Sequence, residues 1–180
     1  MQQVRYYESP LGKILLAADE AGLVGIWFEG QKYEKKGLKE QYEWGDSAVL
    51  DQTVRWLDLY FRGKHPKPSI PIHWNGTEFQ QKVWKILTEI PYGETTTYGA
   101  IAKKLTEQYG DAAMSSQAVG GAVGRNPIAI LVPCHRVVGA KGQLTGYAGG
   151  LSRKELLLRL EKGVGCDNLT LERHTGKVLK

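Results

Sequence analysis

A chain of 180 residues is long enough to bury a sizeable core, either in one domain or in two small ones. It has no apolar run near the ~20 residues that cross a bilayer, and its first residues lack the pattern of a signal peptide. Its two cysteines form no Cys-x-x-Cys motif, which argues against a disulfide scaffold or a zinc site. We therefore expect a soluble protein of a reducing, cytoplasmic compartment, without a membrane partner.

The charge is distributed unevenly along the chain. Residues 1–72 carry ten basic and ten acidic side chains, so the whole formal net charge of +5 lies in residues 73–180. A neutral half followed by a basic half favours an anionic partner for the second half, and nucleic acid is the commonest such partner. A basic surface that serves only solubility is the alternative at this stage.

The first half reads as strands followed by a helix. Turn signals separate segments that are rich in β-branched and aromatic residues, and they predict strands at residues 4–8, 13–19 and 23–28. Residues 31–45 are polar and irregular. Asp46 can then cap a helix that runs to about Arg62 and stops at Gly63.

The segment 64–71 indicates a domain boundary. It contains three prolines in eight residues, which can continue neither a helix nor a central strand. We predict an N-terminal α/β domain over residues 1–72, a mainly helical domain over 73–165 and a tail over 166–180. The fold class is α+β, with an antiparallel sheet in the small first domain.

Two capping boxes predict helix starts in the second half. Thr77 and Gln80 form one of them, ahead of an apolar stripe. Ser152 and Glu155 form the other, ahead of a leucine-rich helix that stops at Gly163.

Two further helices lie between these and fit a helix-turn-helix. Thr97 can cap the first helix, over residues 98–105, and Ser115 or Ser116 can cap the second, which runs to about Val123. The loop that separates them, around residues 107–111, is longer than is usual for DNA-binding versions of the motif. Two adjacent glycines inside the second helix indicate that a neighbouring helix or DNA approaches its backbone closely.

Cys134 is the residue that points most directly to chemistry. It belongs to the pentapeptide Pro-Cys-His-Arg-Val at 133–137, directly after the apolar run 128–132, which reads as a strand. A neighbouring base and a neighbouring cation favour the thiolate, which is the nucleophilic form of cysteine. A buried, space-filling cysteine is the alternative, and Cys166, which has no activating neighbour, is interpreted as structural or exposed.

An ordered set of short motifs accompanies this pentapeptide. The motifs are Ile90-Pro91-Tyr92-Gly93 with Tyr98 soon after, Ala118-Val119-Gly120-Gly121-Ala122, Asn126-Pro127, and Tyr147-Ala148-Gly149-Gly150 before a helix that ends at Glu161. Over residues 90–163 the chain therefore resembles the O6-alkylguanine-DNA alkyltransferases, the suicide repair proteins for alkylated guanine. The first half is similar, more loosely, to the smaller α/β domain of that family.

The resemblance implies a set of catalytic roles. Cys134 takes the alkyl group from guanine O6, His135 deprotonates the thiol through a bound water, and Glu161 holds His135. A bridging water suits an extended segment, in which successive side chains point to opposite faces. Asn126 ties the recognition helix to the active-site turn, and Tyr98 supplies a proton to the guanine ring.

The resemblance also implies a substrate pocket and no cofactor. Tyr147, Ala148 and the backbone of Val137 line the pocket for the base, and Arg136 is interpreted as an ion-pair partner that points away from the sulfur. The implied partner is double-stranded DNA that carries O6-alkylguanine, bound by a monomer. The zinc ligands of some relatives are missing from the N-terminal region, so no metal is expected.

The expected DNA contacts come from the second helix of the helix-turn-helix. The family commonly places an arginine just before Ala-Val-Gly, where it fills the gap left by the flipped nucleotide, and here that residue is Gln117. We therefore expect weaker or less salt-dependent DNA binding than an arginine would give. The resemblance adds three further DNA-binding residues, Ala118, Gly120 and Arg125.

Two other functions stay open at the level of sequence. One is a protein of the same fold that recognises alkylguanine without repairing it, and the reactive Cys134 argues against it. The other is a Cys-His-Glu hydrolase, which would turn over repeatedly and would not need DNA.

Overall fold

Four strands form the sheet of the first half in a computed structural model, which describes residues 1–110, 115–163, 170–171 and 178–179. The strand order is β3-β2-β1-β4, and the three antiparallel strands confirm the predicted ones. The prediction that residues 31–45 are wholly irregular is wrong, because part of this segment pairs in parallel with the outer edge of β1 and makes the sheet mixed. The strands are β1 (Gln2–Ser9), β2 (Gly12–Asp19), β3 (Gly22–Phe28) and β4 (Tyr42–Trp44).

Helix α1 (Ala48–Phe61) packs on this sheet. Its cap is Ser47, whose side chain accepts a hydrogen bond from the Leu50 amide at 3.2 Å, so the prediction of Asp46 is wrong by one residue. Asp46 instead forms an ion pair with Arg5 at 2.8 Å. The buried face of the helix consists of Leu50, Thr53, Trp56, Leu57, Tyr60 and Phe61.

The second half is helical, as predicted. Helix α2 (Glu78–Leu87) begins with the expected capping box, in which the side chain of each partner, Thr77 and Gln80, accepts from the backbone of the other at 3.1 Å. The two helices of the helix-turn-helix follow, and each begins after a predicted cap, Thr97 or Ser115. They are α3 (Tyr98–Tyr109) and α4 (Ser116–Gly124).

The first of these two helices is longer than predicted. Helix α3 continues past residue 105 to Tyr109, and the next residue, Gly110, adopts φ +65°, a left-handed conformation that ends helices readily. Most of the predicted loop 107–111 is therefore helical, because Thr106 and Tyr109 continue the helix without a breaking residue. Residues 111–114 lie outside the described part of the chain.

Helix α5 (Leu151–Glu161) begins two residues earlier than a cap at Ser152 would place it. The residue before it, Gly150, has φ +93° and makes no side-chain cap, and Ser152 lies inside the first turn. The predicted second capping box is therefore wrong. Cys166 lies outside the described residues, and beyond it two short antiparallel strands are β7 (Thr170–Leu171) and β8 (Val178–Leu179).

The apolar run 128–132 is a buried series of turns, not the predicted strand. It reaches the sheet through Ile26, whose amide donates to the Pro127 carbonyl at 2.9 Å and whose carbonyl accepts from Ala129 at 3.1 Å. The chain then forms a 3₁₀-helical turn (Cys134–Arg136), so the expectation of an extended segment at Cys134 is wrong too. The turn leads into β6 (Val137–Val138), which pairs with β5 (Thr96–Thr97).

A continuous hydrophobic core joins both halves. It contains Leu16 and Ile26 from the sheet, Leu57 from α1, and Leu87 and Leu157 from the helices of the second half. Backbone hydrogen bonds also join Leu23 of β3 to residues 71 and 73, on either side of the predicted boundary, at 2.8 and 2.9 Å. The division near residue 72 stays a prediction. Among the described residues, no helix is both long and apolar enough to span a membrane.

Candidate active site

Cys134 lies at the wall of a cavity of about 350 Å³ between residues 32–33 of the first half and the helix-turn-helix. The thiol residue is 7% exposed, so the cavity gives it limited access to solvent. Several predicted site residues line the same cavity, namely Tyr98, Gly120, Arg125, Tyr147 and Ala148. Lys32 and Tyr33, from the first half, complete part of the wall and were not predicted.

Burial dominates the acidity of the thiol. It raises the pKa of Cys134 above its ordinary value, although a hydrogen bond from Asn126 and the charge of Lys154 act in the opposite direction. The expectation of a lowered pKa is therefore wrong: positive charge does act in that direction, but burial disfavours the thiolate more strongly. The thiol needs a base to become a nucleophile at neutral pH.

Asn126 connects helix α4 to the active-site turn. Its side-chain amide donates to the carbonyls of Val132 at 2.8 Å and Ile128 at 3.2 Å, and its Oδ1 accepts from the Ile128 amide at 3.0 Å. The Cys134 amide also donates to the Val132 carbonyl, at 2.8 Å. The position of the sulfur is thus fixed relative to the end of α4.

His135 is fully buried and faces Glu161. Its Nε2 lies 2.5 Å from Oε2 of Glu161, and its Nδ1 has no hydrogen-bond partner in the part of the chain that the structure describes. Burial lowers the pKa of His135, although the Glu161 charge opposes this shift, so the neutral imidazole predominates at neutral pH. A neutral ring that donates Nε2–H to a carboxylate keeps Nδ1 as a proton acceptor.

Glu161 is the best-anchored side chain of the site. Burial alone would raise the pKa of its carboxyl, but hydrogen bonds from His135 and Arg136, together with the charge of Arg136, outweigh it and hold the pKa far below its usual range. Arg136 is the ion-pair partner that the sequence predicted, with Nε 2.8 Å from Oε1. The carboxylate also accepts from the Gly93 amide at 3.0 Å and from the Tyr60 hydroxyl at 2.6 Å.

Tyr98 and Tyr147, both in the cavity wall, differ in the hydrogen bonding of their hydroxyls. The Tyr98 hydroxyl accepts from Thr145 at 3.0 Å. The Tyr147 hydroxyl is buried and has no hydrogen-bond partner among the described residues, and burial raises its pKa well above the ordinary value. Val137, by contrast, is buried in the core and is not part of the cavity wall as the structure shows it.

Tyr60 and Lys154 are site residues that sequence reasoning missed. Lys154 is fully buried, and its Nζ donates to the carbonyls of Thr145 at 2.6 Å and Gly146 at 3.2 Å, beneath the Tyr147 loop. Burial lowers the pKa of Lys154 to about 8, although Cys134 opposes this shift. A signal for Tyr60 did exist, because a tyrosine on a buried helix face normally needs a partner for its hydroxyl.

The predicted DNA-binding residues share helix α4 and its end. Gln117 is exposed and Ala118 half-buried, and Gly120 lies under the ring of Tyr98, where an added Cβ would contact it at 3.7 Å. Arg125 donates to the Gly121 carbonyl at 3.0 Å and stacks over the Tyr33 ring. Among the described residues no group of three His, Cys, Asp or Glu side chains could hold a metal.

Comparison with known proteins identifies the family. The model of the 6-O-methylguanine DNA methyltransferase ribonuclease-like domain matches residues 4–73, and that of the DNA-binding domain matches residues 78–163. Because these models cover most of the chain, the protein belongs to the 6-O-methylguanine DNA methyltransferase family.

Individual relatives agree with this assignment. The chain is 48% identical over 156 residues to the methylated-DNA–protein-cysteine methyltransferase of Methanosarcina acetivorans, which covers 86% of this chain and 95% of that one. The enzyme of the same name from Mycobacterium leprae is 47% identical over 171 residues, 95% of this chain and 99% of that one. The crystal structure of Mycobacterium tuberculosis OGT in complex with DNA is similar in fold, with a TM-score of 0.79 and 41% identity over 89% of this chain and 93% of that one.

Proposed function

We propose that the protein repairs alkylated DNA by moving the alkyl group from O6 of guanine to Cys134, once per molecule. The observation that carries the proposal is a buried thiol at the wall of a cavity, next to a neutral His135 that Glu161 orients. The thioether that forms is stable, so no group in the site regenerates the thiol. No cofactor takes part.

The proton of the thiol moves first. It passes from Cys134 through a bridging water to Nδ1 of His135, since Nδ1 is the ring nitrogen that Glu161 leaves free. The resulting imidazolium carries its charge beside the Glu161 carboxylate, which stabilises it. A base is needed because burial raises the pKa of the thiol.

Transfer is a displacement at the alkyl carbon. The sulfur of Cys134 forms the new S–C bond while the C–O6 bond breaks, and the electron pair of that bond goes to the guanine. Tyr98 donates a proton to the ring so that the base leaves neutral, and Thr145 holds the Tyr98 hydroxyl. Tyr147 and Ala148 form the wall beside the flipped base.

The substrate is double-stranded DNA that carries O6-alkylguanine, bound by a monomer through the helix-turn-helix. A base inside a duplex cannot reach the thiol of a buried cysteine, so the nucleotide must rotate out of the stack. Gln117 is exposed on α4 and occupies the gap that the nucleotide leaves. Contacts to backbone and shape, without base-specific readout, suit a protein that searches for damage in any sequence.

Intact-protein mass spectrometry tests the proposal. After incubation with an O6-methylguanine duplex, the wild type is expected to gain one methyl group, and Cys134→Ser is expected to gain none. The matched unmethylated duplex is the substrate control. Tight binding without added mass would replace the proposal with damage recognition alone, and repeated turnover of an ester would replace it with hydrolysis.

A further inference from the structure

Helix α1 of the first half sends one side chain into the centre of the active site. Tyr60 is fully buried, and its hydroxyl donates to Oε2 of Glu161 at 2.6 Å and lies 3.5 Å from Nε2 of His135. The same oxygen, Oε2, binds the imidazole at 2.5 Å. A residue of the sheet domain thus shares an acceptor with the base of the helical domain.

We propose that Tyr60 is a positioning residue for alkyl transfer, because its hydroxyl fixes the charge and orientation of the Glu161–His135 pair and keeps Nδ1 available as the base. The inference rests on the proposed function, which it deepens. It assigns the first half of the chain a direct part in the chemistry, beyond its part in the core.

The chemistry of the three groups supports this role. Burial and the nearby Glu161 charge hold the pKa of Tyr60 well above its ordinary value, so the phenol stays protonated and remains a donor. A donor on Oε2 withdraws part of the charge that would otherwise attract a second proton to His135. Without that donor, Glu161 stabilises the imidazolium more strongly, and His135 becomes protonated at a higher pH.

The surroundings of Tyr60 make its hydroxyl separable from its ring. The ring stacks on Trp56 at 5.3 Å and meets Phe61 and Tyr92 edge-on at 5.4 and 6.1 Å. These contacts involve the aromatic face and edge, so phenylalanine can keep them. Tyr60→Phe therefore removes the hydrogen bond and leaves the packing in place.

Several titratable groups surround His135 and have to be held constant in the test. They are Tyr60 from α1, Glu161 and Lys154 from α5, and the two sequence neighbours of His135, Cys134 and Arg136. A change at Tyr60 alone leaves the other four in place. The pH at which His135 titrates is therefore the readout that separates positioning from packing.

The experiment measures single-turnover methyl transfer from an O6-methylguanine duplex between pH 5 and 9 for the wild type, Tyr60→Phe and Tyr7→Phe. Tyr7 is the matched control, since its hydroxyl also donates to a carboxylate, that of Asp58 on α1, at 2.7 Å. For Tyr60→Phe we expect the acid limb of the rate profile to move up by about one pH unit, which is roughly tenfold less neutral base below that limb. For Tyr7→Phe we expect the acid limb of the rate profile at the same pH as in the wild type.

Nuclear magnetic resonance of the His135 ring nitrogens in the free protein provides a readout that needs no substrate. The expected result is a higher titration midpoint in Tyr60→Phe, with Nε2 still protonated in the neutral ring. An unchanged midpoint, or a rate that falls equally at every pH, would overturn the positioning role. Failure of the wild type to accept methyl would instead contradict the proposed function.

A second variant covers the case in which Tyr60→Phe does not fold. Replacement of Tyr60 by 3-fluorotyrosine keeps the size of the ring and makes the phenol a stronger donor. The expected shift of the His135 midpoint is then downward, opposite to that of Tyr60→Phe. An unchanged or higher His135 midpoint in the 3-fluorotyrosine protein would contradict the inference.

Discussion

The two sides of the Cys134–Arg136 turn follow opposite patterns of hydrogen bonding. On the side of Glu161, both carboxylate oxygens are bound, and the donors are Tyr60, Gly93, His135 and Arg136. On the side of the cavity, the hydroxyl of Tyr147 is buried without a hydrogen-bond partner among the described residues, as is Nδ1 of His135, the sequence neighbour of Cys134. A buried polar group without a partner costs about 1–3 kcal/mol.

This difference separates what the protein fixes in advance from what it leaves for the substrate. The Glu161 side is the fixed side, because it holds its charges in place before the reaction, as electrostatic preorganisation requires. The cavity side keeps the Tyr147 hydroxyl, which can gain a partner when a base enters. Interactions that form during the reaction, and not before it, are the ones that accelerate it. Each of the following changes acts on one side.

Glu161→Gln has the largest expected effect, because it removes the charge at the centre of the fixed side. It leaves the buried Arg136 without a counter-charge, which typically costs about 3–5 kcal/mol. It also removes the carboxylate that stabilises protonated His135, and we expect methyl transfer to slow by about 100-fold or more. Urea unfolding and single-turnover kinetics measure the two effects.

The control for this variant is Glu155→Gln, on the same helix. Glu155 is only half-buried, and surface substitutions usually change stability by within ~0.5 kcal/mol. Equal losses of stability and of transfer rate in Glu161→Gln and Glu155→Gln would show that the fixed side has no special part in the reaction.

The pH dependence of stability and of the transfer rate tests His135, which binds Glu161 through one ring nitrogen and leaves the other without a partner among the described residues. Burial lowers its pKa from 6.5, so the folded protein resists a proton that the unfolded chain accepts below pH 6.5. Stability is therefore complete above pH 6.5 and is lost as the pH falls through the lower pKa of the folded state. The transfer rate follows the neutral imidazole, so we expect it to fall about tenfold per pH unit below that pKa.

Rates of transfer between pH 5 and 8 measure this limb in the wild type and in His135→Ala. The variant is expected to be slower throughout and to lack the acid limb. A limb in the wild type centred above pH 6.5 would mean that Glu161 outweighs burial and that the base is charged at neutral pH. The depressed pKa of Glu161 adds a second contribution to stability, which is present in full above pH 4.5 and is lost as the pH falls below it.

Tyr147→Phe acts on the cavity side and is expected to separate stability from activity. Its buried hydroxyl has no partner among the described residues, so its removal should leave the free energy of unfolding unchanged or raise it by up to about 1 kcal/mol. Methyl transfer should slow several-fold, because the flipped base loses a polar contact. Thermal unfolding and transfer rates measure both, and a variant less stable than Tyr7→Phe would contradict the assignment.

The sequence predicts the fixed side only in part. Cys134, His135 and Glu161 belong to motifs that identify them, but the partners of Glu161 lie far apart in the chain. Tyr60 is 101 residues from Glu161, and local patterns show its helix face but not the group that its hydroxyl reaches. Lys154 falls near the start of a helix, a position that is usually solvated, and it is buried here by the Thr145–Gly146 carbonyls.

Local sequence patterns also predict the wrong secondary structure for the segment that leads to Cys134. A continuous apolar run at 128–132 is typical of a buried strand, and burial is what the pattern correctly indicates. One isolated bridge joins the run to Ile26 of β3, but the Asn126 side chain and bonds within the run itself, and not a continuous strand pairing, bind its other backbone groups. Burial follows from composition, whereas the hydrogen-bond partners of a turn depend on tertiary contacts.

The smallest expected effect concerns Gln117, which is exposed on helix α4. An exposed glutamine can fill the gap left by a flipped nucleotide, but it adds no counter-charge to DNA. Gln117→Arg should therefore steepen the dependence of log affinity on log salt by up to about 0.9 for each phosphate that the arginine neutralises. Gln117→Met, uncharged and of similar length, is the control and should keep the slope of the wild type.

Titrations of a methylated duplex at several salt concentrations distinguish these outcomes. Transfer rates at saturating DNA should change little in either variant, since residue 117 is not part of the described cavity wall or of the Glu161 side. Identical slopes for wild type and Gln117→Arg would mean that this helix position does not approach the phosphates. A changed saturating rate would instead mean that residue 117 acts on the flipped base itself, and the cavity side would then have to extend to the surface of α4.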